Sequence, residues 1–168
     1  MTVDTWSVRP ATRDDMDAIV DLRIAGWRAA YSHVMTADFL DRLAARRDSE
    51  VDARRTRFGD PTVRQFVGTA QGRVVGWALA GPGKDDDAPA ADELYALYVD
   101  PDLHGSGIAS ALLDAVIGRN PASLWVLGDN PRAQAFYSRE GFVADGVSKM
   151  LDGELSHIPE IRMVRLAS

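Results

Sequence analysis

The chain contains no cysteine. That absence excludes disulfides, a cysteine nucleophile and thiolate metal sites, and no metal is expected. Runs rich in Lys and Arg are also missing: 19 basic residues stand against 25 acidic ones, for a net charge of −6. A nucleic-acid binder needs a basic face, so nucleic acid is not an expected partner. The acidic balance is compatible with a cationic substrate. The opening MTVDTWSVRP has no basic stretch followed by an apolar run, so no secretory signal is expected. The longest apolar-plus-glycine run, Val74 to Gly81, is far too short to span a bilayer. No membrane partner is expected, and the cytoplasm is the default compartment.

What is present suits one soluble domain covering 1–168. The length allows a sizeable core, and 46% apolar with 26% charged residues is ordinary. Trp6 to Arg9 alternates and predicts a short strand ending at Pro10. Thr12 is placed to cap a helix over about 13–31. Its apolar stripe is Met16, Ile19/Val20, Ile24, Trp27 and Tyr31. Gly26 interrupts that helix, which suggests a bend or a close approach. Thr36 is placed to cap a second helix, expected to continue through the charged segment Ala45–Phe58. Gln71-Gly72 lies between two strand-like runs and predicts a hairpin. Gly81 to Ala91, with three consecutive aspartates, is loop by composition. Ser123 to Leu127 reads as a buried strand. Asn130-Pro131 opens a helix that Gly141 closes, and two last strands follow. The order is that of a mixed α/β (α+β) domain.

The most informative stretch is Glu93 to Leu113, ELYALYVDPDLHGSGIASALL. An apolar run ends at Asp100-Pro101, because Pro101 has no N–H for a sheet ladder. His104-Gly105-Ser106-Gly107 follows, and a helix pattern begins at Ile108-Ala109. Strand, glycine turn and helix N-terminus aim several backbone N–H groups at one point, a natural anion site for phosphate or pyrophosphate. A P-loop would need Gly-Lys-Ser or Gly-Lys-Thr, where Ile108-Ala109 stand instead. A dinucleotide turn would need a third glycine where Ser110 stands.

About twenty residues on lies Asn130-Pro131-Arg132-Ala133-Gln134-Ala135-Phe136-Tyr137, followed by Glu140-Gly141-Phe142. With the glycine turn, this segment resembles the GNAT superfamily of acetyl-CoA-dependent N-acetyltransferases. The family's turn, [Gln/Arg]-x-x-Gly-x-[Gly/Ala], is met by His104 to Ala109, with His104 as the one departure. Its Asn-x-x-Ala-x-x-Phe-Tyr-x-x-x-Gly-Phe pattern is met by Asn130, Ala133, Phe136, Tyr137, Gly141 and Phe142.

The resemblance implies a mostly antiparallel sheet of about seven strands, about four helices, and fourth and fifth strands that splay. It implies acetyl-CoA as co-substrate. The pyrophosphate would sit on Gly105, Gly107, Ile108 and Ala109, within the turn that also holds His104 and Ser106. The pantetheine arm would lie along the backbone of Leu97, Tyr98 and Val99, near Asn130, Ala133 and Phe136. Tyr137 is the implied acid at the leaving sulfur, its alternative being a packing role.

An alkylammonium acceptor must first lose a proton, and Glu93 is the candidate base, with Asp92 and His33 behind it. Its alternative is a solvated strand-end glutamate. Trp27 and Tyr31, four residues apart, are candidates to line an amine site, with Trp77 and Trp125 as further aromatics. With no cysteine, the expected mechanism is direct attack in a ternary complex. The expected acceptor is a small-molecule amine: a polyamine, amine metabolite or antibiotic. The alternatives are a peptide N-terminus or protein lysine, a non-catalytic acyl-CoA-binding module, and an unrelated nucleotide enzyme. A homodimer is left open.

Overall fold

The computed structural model describes residues 5–167; Met1–Asp4, the start of the stretch read for a targeting signal, and Ser168 lie outside the described residues. Seven strands form one mixed sheet in the order β1-β2-β3-β4-β5-β7-β6. They are β1 (Trp6–Pro10), β2 (Arg64–Ala70), β3 (Arg73–Pro82), β4 (Asp92–Val99), β5 (Ala122–Leu127), β6 (Val143–Met150) and β7 (Pro159–Arg165). Five α-helices accompany them: α1 (Met16–Tyr31), α2 (Ala37–Ala45), α3 (Arg47–Arg57), α4 (Ile108–Ile117) and α5 (Pro131–Arg139). The expected strands are thus all present, with one helix more than anticipated. The charged segment does not continue α2. Arg46, at φ −89° and ψ 6°, leaves helical geometry and starts α3 separately. The chain divides into two compact units, one of Met1–Leu79 and Ala96–Val116, the other of Ala80–Tyr95 and Ile117–Ser168.

In the first unit, β1 and β2 are antiparallel, with Trp6 opposite Ala70 and Pro10 opposite Phe66. The β2–β3 turn has positive φ at both Gln71 (51°) and Gly72 (74°), the twist that a two-residue hairpin requires. Successive strand residues face opposite ways, and the two faces have different covers. Val67 and Trp77 join Met16, Ile19, Val20, Ile24 and Val51 in the core under α1 and α3. Their neighbours Gly68 and Gly76 lie under α4. A Cβ there would stand 2.5 Å from Ile108 Cδ1 and 2.7 Å from Leu112 Cδ1. Gly26 of α1 makes the close approach its sequence suggested: a Cβ would meet the Tyr98 ring at 2.9 Å.

In the second unit, β4 and β5 are parallel, pairing Asp92–Leu94 with Ala122–Leu124. β5 then pairs antiparallel with β7 along its whole length. β6 is an exposed edge strand with an irregularity between Ala144 and Ser148. The Asn130 side chain accepts the Ala133 N–H and caps α5. At the other end, the N–H groups of Gly141 and Phe142 bond the carbonyls of Ser138 and Tyr137. This double closure needs the positive φ of Gly141, 91°.

Candidate active site

In the first unit, β4 leads through Asp100 into the short turn Pro101–Leu103 and then into the glycine turn. The Asp100 carboxylate accepts the Asp102 N–H at 3.0 Å. His104 to Gly107 are all exposed. Gly105 and Gly107 have φ of 81° and 91°, a region that side chains with a Cβ seldom enter. The chain itself uses only part of this backbone: the Ser106 N–H bonds the Leu103 carbonyl, and the Ile108 N–H meets Ser106 Oγ at 3.4 Å. Among the described residues, the N–H groups of Gly105, Gly107 and Ala109 meet no acceptor. A Cβ at Gly105 would touch nothing within 4 Å, so the cradle is open as well as polar. The amides and the positive end of α4 fit an anionic group such as a pyrophosphate.

The same unit brings three candidate aromatics together. Trp27 and Tyr31 meet edge to face at 5.0 Å between ring centroids. Trp27 Nε1 donates to Tyr98 Oη at 2.8 Å, and Tyr98 stacks on Trp77 at 6.1 Å. Burial pushes the Tyr98 phenol above its ordinary pKa, with Arg23 and the Trp27 hydrogen bond opposing. The Tyr98 side chain thus packs between Trp27 and Trp77. Trp77 is 1% exposed beneath α1 and lines no amine site. Leu97 and Val99 are half-buried, and His33 is exposed.

The second unit holds the proton-transfer candidates in two different surroundings. Tyr137 is buried among rings, with centroids 5.2 Å from Phe136 and 5.9 Å from Phe142. Glu93 is buried too, which corrects the reading of a strand-end glutamate in solvent. Its Oε2 accepts the backbone N–H of Lys84 at 2.8 Å. Asp92 is half-buried beside it. Trp125 donates Nε1 to Asp85 at 2.9 Å and carries Lys149 Nζ 4.0 Å above its ring.

Two residues of this unit escaped the sequence reading. Glu160, half-buried and across the ladder from Lys149, has its carboxyl pushed above the ordinary range. Burial is the main cause; Lys149 opposes it, while Asp152 and Glu93 add to it. Arg162 is buried at the centre of three carboxylates. Nothing local marks either one; only the β5–β7 register reveals them. Among the described residues, no group of three or more acidic or histidine side chains is placed to hold a metal ion, and no helix is long and apolar enough to cross a membrane.

Comparison with known proteins adds a family to this geometry. The model of the acetyltransferase (GNAT) family matches residues 17–142. An uncharacterised N-acetyltransferase of Methanocaldococcus jannaschii is 26% identical over 159 residues, 88% of this chain and 65% of that protein. One from Mycobacterium tuberculosis is 37% identical over 93 residues, 52% of this chain and 57% of that protein. A mycothiol acetyltransferase of Rhodococcus jostii is 37% identical over 87 residues, 51% of this chain but 27% of its own length. The chain therefore spans less than two thirds of each of these relatives. Among solved structures, the PaiA N-acetyltransferase of Thermoplasma acidophilum, in complex with coenzyme A, has the same fold. Its TM-score is 0.69 at 15% identity, covering 97% of this chain and 99% of that one.

Proposed function

Because the chain belongs to the acetyltransferase (GNAT) family, matched over 17–142, we propose that it moves an acetyl group from acetyl-CoA to the primary amine of a small molecule. The carrying observation is the glycine turn, with the open N–H groups of Gly105, Gly107 and Ala109 at the start of α4. Acetyl-CoA supplies the acetyl group as a thioester. Gly105, Gly107, Ile108 and Ala109 hold its pyrophosphate, flanked by His104 and Ser106. The backbone of Leu97, Tyr98 and Val99, with Asn130, Ala133 and Phe136, holds the pantetheine arm. Asn130 also accepts the Ala133 N–H through its side-chain oxygen and so caps α5.

Glu93 accepts a proton from the acceptor ammonium, and the freed amine attacks the acetyl carbon directly. The C–N bond forms, the C–S bond breaks, and the Tyr137 hydroxyl gives its proton to the departing sulfur; the second proton that the nitrogen sheds on becoming an amide restores the Tyr137 hydroxyl through solvent. Trp27 and Tyr31 line the acceptor side through their ring faces. The names of the mycothiol acetyltransferase relatives support a small-molecule acceptor. The family match includes residues of both compact units, which supports one catalytic domain over 1–168.

Release of free CoA against a panel of polyamines, aminoglycosides, amine metabolites and peptides tests the reading. Turnover with a small amine is expected, and Tyr137→Phe is expected to lower kcat by about 100-fold or more with CoA affinity kept. Turnover with peptides alone would replace the acceptor class. Tight acetyl-CoA binding with no release for any amine would make the chain a binding module.

A further inference from the structure

Arg162 is the most enclosed charged group of the second unit, with its side chain 5% exposed. β7 places it opposite Trp125 of β5. Its Nε donates to Asp145 Oδ2 at 2.7 Å, and its two terminal nitrogens donate to Asp87 Oδ1 and Oδ2 at 3.0 and 3.3 Å. Asp85 Oδ2, already the acceptor for Trp125 Nε1, stands 3.6 Å from Nη1. A planar fork with five donors can hold several carboxylates at fixed angles, which an ammonium cannot.

Two of these carboxylates belong to the 83–91 loop. That loop closes on itself through the Gly83 N–H to the Ala91 carbonyl at 2.9 Å and the Ala88 N–H to the Asp85 carbonyl at 3.1 Å. It has no slack at its start, where a Cβ on Gly83 would meet Ala88 Cβ at 2.8 Å. The next residue, Lys84, is the one whose N–H holds Glu93 Oε2 at 2.8 Å. One guanidinium thus fixes the loop, and the loop fixes one oxygen of Glu93, leaving Oε1 to meet a proton.

We propose that Arg162 is a positioning residue for acetyl transfer, orienting Glu93 through Asp85, Asp87 and the Lys84 N–H so that Oε1 accepts the proton of the acceptor ammonium. The inference rests on Glu93 as the base. A base must lie within hydrogen-bond reach of its proton, and a displacement of about 1 Å can lower a rate about 100-fold.

The test is a double-mutant cycle of wild type, Arg162→Gln, Glu93→Gln and the double variant. It reads kcat with the best amine, Kd for CoA, and amide hydrogen exchange at Lys84. Arg162→Gln should lower kcat about tenfold, keep CoA affinity within about twofold, and speed Lys84 exchange by about tenfold or more. On the Glu93→Gln background it should cause no further loss, the non-additivity of residues acting through one another. Arg162→Lys, with the charge but not the fork, should recover only part of the rate. Asp87→Asn, a milder break at the exposed partner, should act in the same direction and serves if Arg162→Gln does not fold. Equal losses of kcat on both backgrounds, a fall in CoA affinity matching that in kcat, or unchanged Lys84 exchange would each overturn the proposal. A wild type that acetylates no amine would overturn the proposed function and this inference together; an active wild type with an additive cycle would overturn only the inference.

Discussion

The glycine turn at 104–107 and the loop at 83–91 are both short connections, and they use their polar groups in opposite ways. Among the described residues, the turn leaves the N–H groups of Gly105 and Gly107 without an acceptor, with nothing within 4 Å of a Cβ at Gly105 and Trp6 at 3.7 Å from one at Gly107. The loop directs its groups inward: Asp85 to Trp125 and Arg162, Asp87 to Arg162, and Lys84 N–H to Glu93. Charge alone would have pointed to the aspartate loop as the ligand site. The difference teaches that donors the fold leaves over are available to an anion, whereas carboxylates already bonded within the fold tie its own chain together.

The largest expected effect breaks the open side of this comparison. Gly107→Glu sets a carboxylate where the turn offers N–H groups. It should weaken CoA binding on the order of 100-fold, or ~2.7 kcal/mol. A Cβ at Gly107 has only Trp6 at 3.7 Å, so the fold should survive, apart from the strain of φ 91°. Equilibrium binding with circular dichroism separates the two effects. A folded variant that keeps its affinity would remove the turn from the CoA site.

Alanine at one glycine of each region sharpens the contrast. At Gly83 the added methyl meets Ala88 Cβ at 2.8 Å and the Ala90 carbonyl at 3.1 Å. Overpacking of that kind costs about 1–3 kcal/mol. At Gly105 it meets nothing within 4 Å, and only φ 81° resists it, at about 1 kcal/mol. Chemical denaturation of the two variants should rank Gly83→Ala as the less stable. The reverse order would mean that the loop is looser than its contacts indicate.

What the sequence made legible was local. Gln71-Gly72, Asn130-Pro131 and Gly141 each set a backbone angle or a cap by their own chemistry, and each stands where it was expected. A mixed, mostly antiparallel sheet of about seven strands came with the family resemblance, whereas its strand order and the parallel β4–β5 pair are read only from the structure. Long-range features were not legible. Arg162 reaches Asp145 across 17 residues and Asp87 across 75. The burial of Glu93 depends on a loop whose composition suggests only solvent. The α2–α3 break at Arg46 carries no glycine or proline to announce it. Trp77, one of four tryptophans, has the same residue type as Trp27, and only its position under α1 assigns it to the core.

Acidification should give the smallest effect, and it should act on the loop alone. The Arg162 hydrogen bond holds the Asp87 carboxyl below the usual carboxylate range, with burial opposing. A carboxyl depressed in the folded state stabilises fully above its unfolded pKa of about 3.9, and that stabilisation is lost as pH falls through the lower folded value. Asp85 and Asp145 face the same guanidinium. The open N–H groups of the glycine turn do not titrate. Protection of the Lys84 amide, corrected for intrinsic exchange, should therefore be flat from about pH 7 to 5 and fall below about 4, while Gly105 stays unprotected throughout. Loss of Lys84 protection already above pH 5 would mean that something other than the Asp87–Arg162 pair holds the loop over Glu93.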